Sequence, residues 1–218
     1  MANSVTPNYA GVRRRLVETL QANGIDDLAV LRAIDSVPRH LFVPTGVSHR
    51  AYEDSPIFIG RGQTISQPSV HARSLQALSL TGSEKVLEVG TGTGYQTALL
   101  GMLAAQVFSI ERVPELMDSA REALREVGVR NVSFLQGDGT IGWREYAPYD
   151  GILVSAGGPE VPVPLLEQLA EGGRLVIPLG PREAQTLTLF TRRGDGTERR
   201  ELGEVTFVPL VGTHGWKK

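Results

Sequence analysis

The chain has 218 residues, of which 41% are hydrophobic, a length and apolar content typical of one large globular domain rather than a disordered segment. Lys and Arg total 22 against 24 Asp and Glu, a net charge of −2, which excludes the strongly basic surface of a nucleic-acid-binding protein. The lack of cysteine excludes disulfides, thiolate catalysis and cysteine-ligated zinc.

Location and organisation are predicted from the same data. No apolar run reaches the roughly 18 residues of a transmembrane helix, and the N-terminal sequence lacks the apolar segment of a signal peptide. A cytoplasmic location without membrane contact is therefore expected. No long exposed apolar helix face indicates an interface, so a monomer is expected. A single domain (1–218) is predicted, with an N-terminal helical segment (1–80), a core (81–181) and a C-terminal tail (182–218).

The N-terminal segment is predicted to contain three helices and one long loop. Four apolar residues recur at helical spacing and predict an amphipathic first helix: Tyr9, Val12, Leu16 and Leu20. A second short helix is predicted over 26–34, and a third over 68–80, where Pro68 suits a first helical turn. Residues 39–67 are rich in Gly, Pro and Ser, and a loop of this length in a compact domain is usually functional.

The core alternates between strand and helix signals. Short buried strands are predicted at 85–89, 107–110, 132–135, 151–154 and 174–177. Helices are predicted at 95–104, 114–127 and 164–170. This alternation predicts an α/β fold with a mostly parallel, doubly wound sheet and right-handed crossovers.

The tail changes to strand-like runs, predicted at 185–191 and 201–208. Between them, Arg193-Gly194-Asp195-Gly196 contains an Asp-Gly pair, which is a strong hairpin signal. The Arg-Gly-Asp triplet also resembles a cell-adhesion tripeptide. Because the chain is predicted to be cytoplasmic, an adhesion function is disfavoured. An antiparallel hairpin at the end of the parallel sheet is therefore predicted.

A glycine-rich turn follows the first core strand, in Glu88-Val89-Gly90-Thr91-Gly92-Thr93-Gly94-Tyr95. Glycines let a ligand approach the backbone closely, and ligands of doubly wound sheets bind outside the carboxyl ends of the strands. A dinucleotide site has Gly-x-Gly-x-x-Gly, but Tyr95 or Thr97 occupies the third glycine position here. A nicotinamide-dependent oxidoreductase is therefore a disfavoured alternative.

The acidic residue followed by Gly-x-Gly-x-Gly resembles motif I of the class I S-adenosylmethionine methyltransferases, which have a Rossmann-like fold. The resemblance implies that Glu88 lies near the amino-acid end of S-adenosylmethionine. It also implies that the turn residues Gly90, Thr91, Gly92 and Gly94 contact this cofactor.

Two more acidic residues follow successive predicted strands. Glu111 comes about twenty residues after the turn, the usual distance of a carboxylate that binds ribose hydroxyls, and a carboxylate can accept from two hydroxyls at once. Asp138 and Gly139 follow the next strand. In the resembling family, the matching acidic residue lies by the adenine and accepts from its amino group.

Segments before the turn resemble protein-L-isoaspartate O-methyltransferases. They are Arg39-His40-Leu41-Phe42-Val43-Pro44, Tyr52 and Gly62-Gln63-Thr64-Ile65-Ser66-Gln67-Pro68, with Val208-Pro209-Leu210 near the end. The resemblance implies methyl transfer from S-adenosylmethionine, leaving S-adenosylhomocysteine, to the α-carboxylate of L-isoaspartyl residues in proteins and peptides. The ester then collapses to a succinimide, which starts repair.

Ser66 matches the active-site serine of that family. The acceptor carboxylic acid has a reference pKa near ~4, so it is ionised at neutral pH and needs no general base. The Ser66 hydroxyl could donate to one carboxylate oxygen, or it could simply cap the following helix. His71 matches a histidine that the family often has, but a catalytic role is not favoured. Gln67 and Ser69 depart from the family pattern.

Three alternatives stay open at this point. A methyltransferase for another carboxylate or a small molecule would have the same cofactor motifs. The nicotinamide oxidoreductase is opposed by the glycine spacing, and a non-catalytic binding module by the intact set of motif residues. No metal is predicted, because no two histidines have metal-ligand spacing: His40, His49, His71 and His214.

Overall fold

The computed structural model describes residues 9–217. Residues 1–8, which are part of the segment predicted not to be a signal peptide, lie outside the described range. The strands are β1 (Ile57–Gly60), β2 (Gln63–Ile65), β3 (Lys85–Val89), β4 (Gln106–Glu111), β5 (Val132–Gln136), β6 (Tyr149–Val154), β7 (Leu169–Leu179), β8 (Gln185–Arg193) and β9 (Gly196–Val205).

The helices surround a central sheet. They are α1 (Tyr9–Ala22), α2 (Leu28–Ser36), α3 (Pro68–Leu78), α4 (Tyr95–Leu103), α5 (Pro114–Glu126) and α6 (Val163–Glu167), with 3₁₀ turns at Arg39–Phe42, Thr45–Arg50, Gly139–Ile141 and Arg144–Tyr146. Within residues 9–217, no helix has both the length and the apolar character needed to cross a membrane.

The central sheet has the strand order β5-β4-β3-β6-β7-β8-β9. The strands from β3 to β7 run parallel, while β8 and β9 are antiparallel additions. The predicted α/β fold with a C-terminal hairpin is therefore confirmed. The strand order reverses at β3, because β4 lies on one side of it and β6 on the other. Ligands bind at such reversal points, outside the carboxyl ends of the strands.

Strand β3 is buried on both faces because each face is covered. Successive strand residues point to opposite sides: Val86 packs into the cluster formed with α1 to α4, and Leu87 packs into the cluster that contains Leu165 of α6. Both side chains are fully buried. A parallel strand covered on both faces has a nearly continuous apolar sequence, which is why the strand was recognisable.

The prediction of an unstructured loop over 39–67 is wrong in part. The segment contains two 3₁₀ turns and the antiparallel hairpin β1–β2. The hairpin turn uses three consecutive residues with positive φ, at Gly60 (92°), Arg61 (55°) and Gly62 (70°). Strands of three or four residues are too short to show a period, so only the glycines indicated a turn.

The helix predicted at 164–170 is also too long. Helix α6 ends at Glu167, because the buried Gln168 side chain bonds to the backbone of neighbouring segments. Its amide donates to the Ile141 carbonyl (2.9 Å) and its oxygen accepts from the Trp143 N–H (2.8 Å). The last strand likewise lies earlier than predicted, since Arg193 pairs with Gly196 across a turn formed by Gly194 and Asp195.

Packing between α4 and α5 requires glycine at position 94. Gly94 precedes α4 with φ of 87°, and a Cβ there would lie 3.0 Å from the Ala120 Cβ on α5. We expect Gly94→Ala to destabilise the protein by more than the roughly 1–2 kcal/mol of left-handed backbone strain alone, because the overlap adds to it. The measurement is urea unfolding.

Gly128→Ala is the matched control for this prediction. Gly128 has φ of 79° and open space around its Cβ position, so only the backbone strain applies. Equal destabilisation of the two variants would show that the contact with Ala120 is unimportant.

Candidate active site

One cavity lies at the carboxyl ends of β3, β4 and β6. Its wall includes the glycine turn, the end of β2 and the C-terminal segment 208–211. The structure brings six of the predicted site residues to this wall: Ser66, Gly90, Thr91, Gly92, Glu111 and Gly139. Three others, Glu88, Gly94 and Asp138, are not part of the wall.

The glycine turn is held by bonds to the neighbouring strand. The Gly90 N–H donates to the Ile110 carbonyl (2.8 Å), and the buried Thr91 hydroxyl bonds to Ser109 (2.6 Å). The φ values of Gly90 (95°) and Gly92 (55°) are both positive, which glycine adopts at little cost. The turn is thus held by bonds within the protein itself.

Glu111 is a fixed carboxylate on the cavity wall. Its Oε1 accepts from the N–H groups of Arg112 (2.8 Å) and Val113 (2.9 Å), and its Oε2 accepts from Gly92 (2.9 Å). A carboxylate has about four acceptor positions, so three protein bonds leave capacity for a ligand hydroxyl. The ribose contact of Glu111 stays a prediction from the sequence.

Glu88 lies behind the wall rather than on it, and its predicted position near the amino-acid end of the cofactor stays a prediction. Its fully buried Oε2 accepts from Thr97 (2.6 Å) and Ser109 (2.5 Å), and its Oε1 has no partner within residues 9–217. Burial raises the pKa of Glu88 to about 8, although the two hydroxyl groups oppose this shift. Glu88 therefore carries a proton at neutral pH. It supports the turn through Ser109, which bonds to both Glu88 and Thr91.

Asp138 lies in a neighbouring pocket that shares Arg112, Gly137 and Val211 with this cavity, and its predicted adenine contact stays a prediction. Its Oδ1 accepts from the N–H and hydroxyl of Thr140, and its Oδ2 from those of Thr213. Burial opposes ionisation, but these bonds outweigh it and lower the pKa of Asp138. All four acceptor positions are used, so an adenine amino group would have to replace one of these bonds. Asp138 ties the segment after β5 to the C-terminal segment.

Ser66 lies on the wall with its hydroxyl available. The hydroxyl has no hydrogen-bond partner in the described part of the chain, and the Ser66 carbonyl accepts from Arg39 (2.7 Å). The alternative role as a helix cap is wrong, because Gln67 is the N-cap residue of α3. Gln67 and Ser69 bond to each other (3.0 Å) and do not line the cavity.

Two buried polar side chains on the wall complete the site. His71 bonds through Nδ1 to the Gln96 Oε1, while His71 Nε2 and Gln96 Nε2 have no partner within residues 9–217. Burial, together with the Arg39 charge, lowers the pKa of His71 to about 3, so its ring is neutral. Buried groups of this kind need a partner, which a polar ligand would supply. The sequence analysis did not predict Gln96 as a site residue. The feature that could have indicated it is its position as the second residue of α4, directly after the glycine turn.

Glu88 makes stability depend on pH. The folded state raises its pKa from 4.5 to about 8, so its contribution is fully present below pH 4.5 and is lost as pH rises through about 8. Gln has no proton to lose at this position. We therefore expect the free energy of unfolding of Glu88→Gln to change less with pH over this range than that of the wild type. The free energy of unfolding in urea, at about pH 5 and about pH 8, measures this.

Glu122→Gln, at an exposed position on α5, is the control for simple loss of a carboxyl group. If wild type and Glu88→Gln lose the same free energy between the two pH values, Glu88 is not the group responsible.

Comparison with known proteins gives the same assignment as the motifs. A family model described as protein-L-isoaspartate(D-aspartate) O-methyltransferase matches residues 12–215. The protein-L-isoaspartate O-methyltransferase of Dictyoglomus thermophilum is 51% identical over 212 residues, which cover 97% of this chain and 96% of the relative. The protein-L-isoaspartate O-methyltransferase of Pseudomonas aeruginosa is 52% identical over 200 residues, which cover 91% of this chain and 95% of the relative.

Solved structures are similar over nearly the whole chain. A protein-L-isoaspartate O-methyltransferase superposes with a TM-score of 0.83 at 30% identity, covering 93% of this chain and 67% of the other. A Plasmodium falciparum relative in complex with S-adenosyl-L-homocysteine has a TM-score of 0.79 at 26% identity, covering 91% and 98%. The predicted resemblance is confirmed, and the chain belongs to the protein-L-isoaspartate(D-aspartate) O-methyltransferase family.

Proposed function

We propose that this chain transfers the methyl group of S-adenosylmethionine to the free α-carboxylate of L-isoaspartyl residues in proteins and peptides. The observation that carries the proposal is the single cavity that contains the glycine turn, the Glu111 carboxylate and the free Ser66 hydroxyl. Elements suited to a nucleoside cofactor and a donor suited to an acceptor carboxylate thus lie on one wall.

The residues present fit S-adenosylmethionine. Glu111 keeps one acceptor position for a ribose hydroxyl, and Gly92, where a Cβ would meet no protein atom within 4 Å, leaves space at the turn for a ligand. The unpartnered nitrogens of His71 and Gln96 offer polar contacts on the same wall. When bound, the cofactor supplies an electrophilic methyl group on a sulfonium. A relative in this family binds the demethylated product, S-adenosyl-L-homocysteine.

The acceptor side needs orientation rather than activation. An isoaspartyl carboxylate is ionised at neutral pH, so no base has to remove a proton. The Ser66 hydroxyl donates to one carboxylate oxygen and leaves the other free to attack. Placement of this kind can supply effective molarities of roughly 10⁵–10⁸ M. His71, which is neutral, adds no positive charge to the cavity wall.

Several finer points stay predictions from the sequence. They are a monomeric chain in the cytoplasm, the absence of nucleic-acid partners, and the division into a substrate segment (1–80), a cofactor core (81–181) and a tail (182–218). Ser66 and the β1–β2 hairpin belong to the first segment, and the glycine turn and Glu111 to the second, which supports that division.

The function is tested with two synthetic peptides that differ only in L-isoaspartate against L-aspartate. We expect base-labile methyl transfer from labelled S-adenosylmethionine to the isoaspartyl peptide alone. Labelling of neither peptide, with S-adenosylmethionine still bound, would move the search to another carboxylate or a small-molecule acceptor.

Ser66→Ala tests the orienting donor. A hydrogen bond to a charged group is worth roughly 1.5–3 kcal/mol, or about one to two orders of magnitude in rate, so we expect kcat/KM to fall by about that much. Thermal unfolding and the affinity for S-adenosyl-L-homocysteine should not change. Ser69→Ala, in the first turn of α3 but outside the cavity, is the control. Full activity of Ser66→Ala would contradict the assigned role.

A further inference from the structure

Arg39 is a buried cation without an acidic partner. The side chain is fully buried in the 3₁₀ turn Arg39–Phe42, and no carboxylate of residues 9–217 lies within ion-pair distance of it. Burial lowers the pKa of Arg39 to about 10, so the guanidinium still carries its charge at neutral pH. Burying a charge without a partner of opposite charge costs free energy of folding.

The contacts of Arg39 join three separate segments. Its Nε donates to the Ala51 carbonyl (2.7 Å), and its Nη2 donates to the Ser66 carbonyl (2.7 Å). The guanidinium carbon lies 4.7 Å from the centre of the Tyr95 ring. Tyr95 is the first residue of α4, directly after the glycine turn. One side chain therefore connects Ser66 to the element that forms the cofactor side of the cavity.

The Ser66 hydroxyl depends on this connection. Strand β2 ends at Ile65 and helix α3 starts at Pro68, so Ser66 lies in neither element. Its hydroxyl has no protein partner within residues 9–217, and only the backbone sets its direction. Hydrogen bonds from a charged donor are stronger than neutral ones, and the bond to the Ser66 carbonyl fixes that backbone. A misplacement of about 1 Å can lower a rate by roughly 10²-fold.

We propose that Arg39 is a positioning residue for methyl transfer, which holds the Ser66 backbone at a fixed distance from the glycine turn and acts on the rate through the Ser66 hydroxyl. This inference rests on the proposed function. The alternative is that Arg39 only stabilises the segment 39–67. In that case its replacement would change the rate by the same factor whether or not the Ser66 hydroxyl is present.

Arg39→Lys separates these roles. Lysine keeps the positive charge, but its single nitrogen lacks the planar fork that reaches both carbonyls. We expect kcat for the isoaspartyl peptide to fall about tenfold or more. The affinity for S-adenosyl-L-homocysteine, measured by calorimetry, should be retained, because the glycine turn and Glu111 are unchanged.

A double-mutant cycle with Ser66→Ala is the decisive measurement. If Arg39 acts through the Ser66 hydroxyl, Arg39→Lys has little further effect on kcat in the Ser66→Ala background, because the group it positions is already gone. Losses that multiply in the double variant overturn the proposal, as does wild-type activity of Arg39→Lys. Arg39→Gln, which removes the unpaired charge, enters the same cycle if Arg39→Lys does not fold.

Hydrogen exchange supplies a readout that does not need activity. We expect Arg39→Lys to exchange faster than wild type in the peptide that contains residues 63–67, with α5 unchanged as an internal reference. Unchanged exchange there overturns the proposal even if the rate falls. Failure of the wild type to methylate the isoaspartyl peptide overturns the proposed function instead, and the exchange result then decides separately whether Arg39 holds Ser66.

Discussion

Positive φ angles at Gly90, Gly92 and Gly94 are the constraint on which the candidate active site depends. Residues with a Cβ rarely adopt this conformation, so glycine alone lets β3 turn directly into α4. The resulting turn brings the Gly92 N–H to Glu111 and leaves open space where a Gly92 Cβ would lie. At Gly94, the same conformation also lets α5 pack against the start of α4.

Burial then determines which groups near the cavity carry charge. Glu88 is protonated at neutral pH and His71 is neutral, since the low-dielectric interior disfavours the charged form of each. Arg39 stays charged and Glu111 is held by three N–H donors. A carboxylate acceptor and a sulfonium cofactor would therefore meet a wall on which His71 is neutral and the Glu111 carboxylate is held in place by hydrogen bonds.

The two sides of the reaction come from different parts of the chain. The sheet supplies the cofactor side through its reversal point at β3, while residues before the sheet supply Ser66. Methyl transfer needs both groups in line, and the segment that carries Ser66 is irregular. The Arg39 bonds to Ala51 and Ser66, and its contact with Tyr95, help to join that segment to the glycine turn.

The sequence by itself determined the elements that local chemistry specifies: the buried parallel strands, the glycine turn, the carboxylates at the ends of β4 and β5, and Ser66 through its family motif. These depend on apolar periodicity and on residue types at short spacing. Only the tertiary structure decided which polar groups face the cavity. It placed Glu88 behind the wall, used every acceptor of Asp138 on Thr140 and Thr213, and brought Arg39 to Ser66. The contact of Arg39 with Ser66 joins residues 27 positions apart and that of Asp138 with Thr213 joins residues 75 positions apart, and no local pattern in the sequence records such contacts.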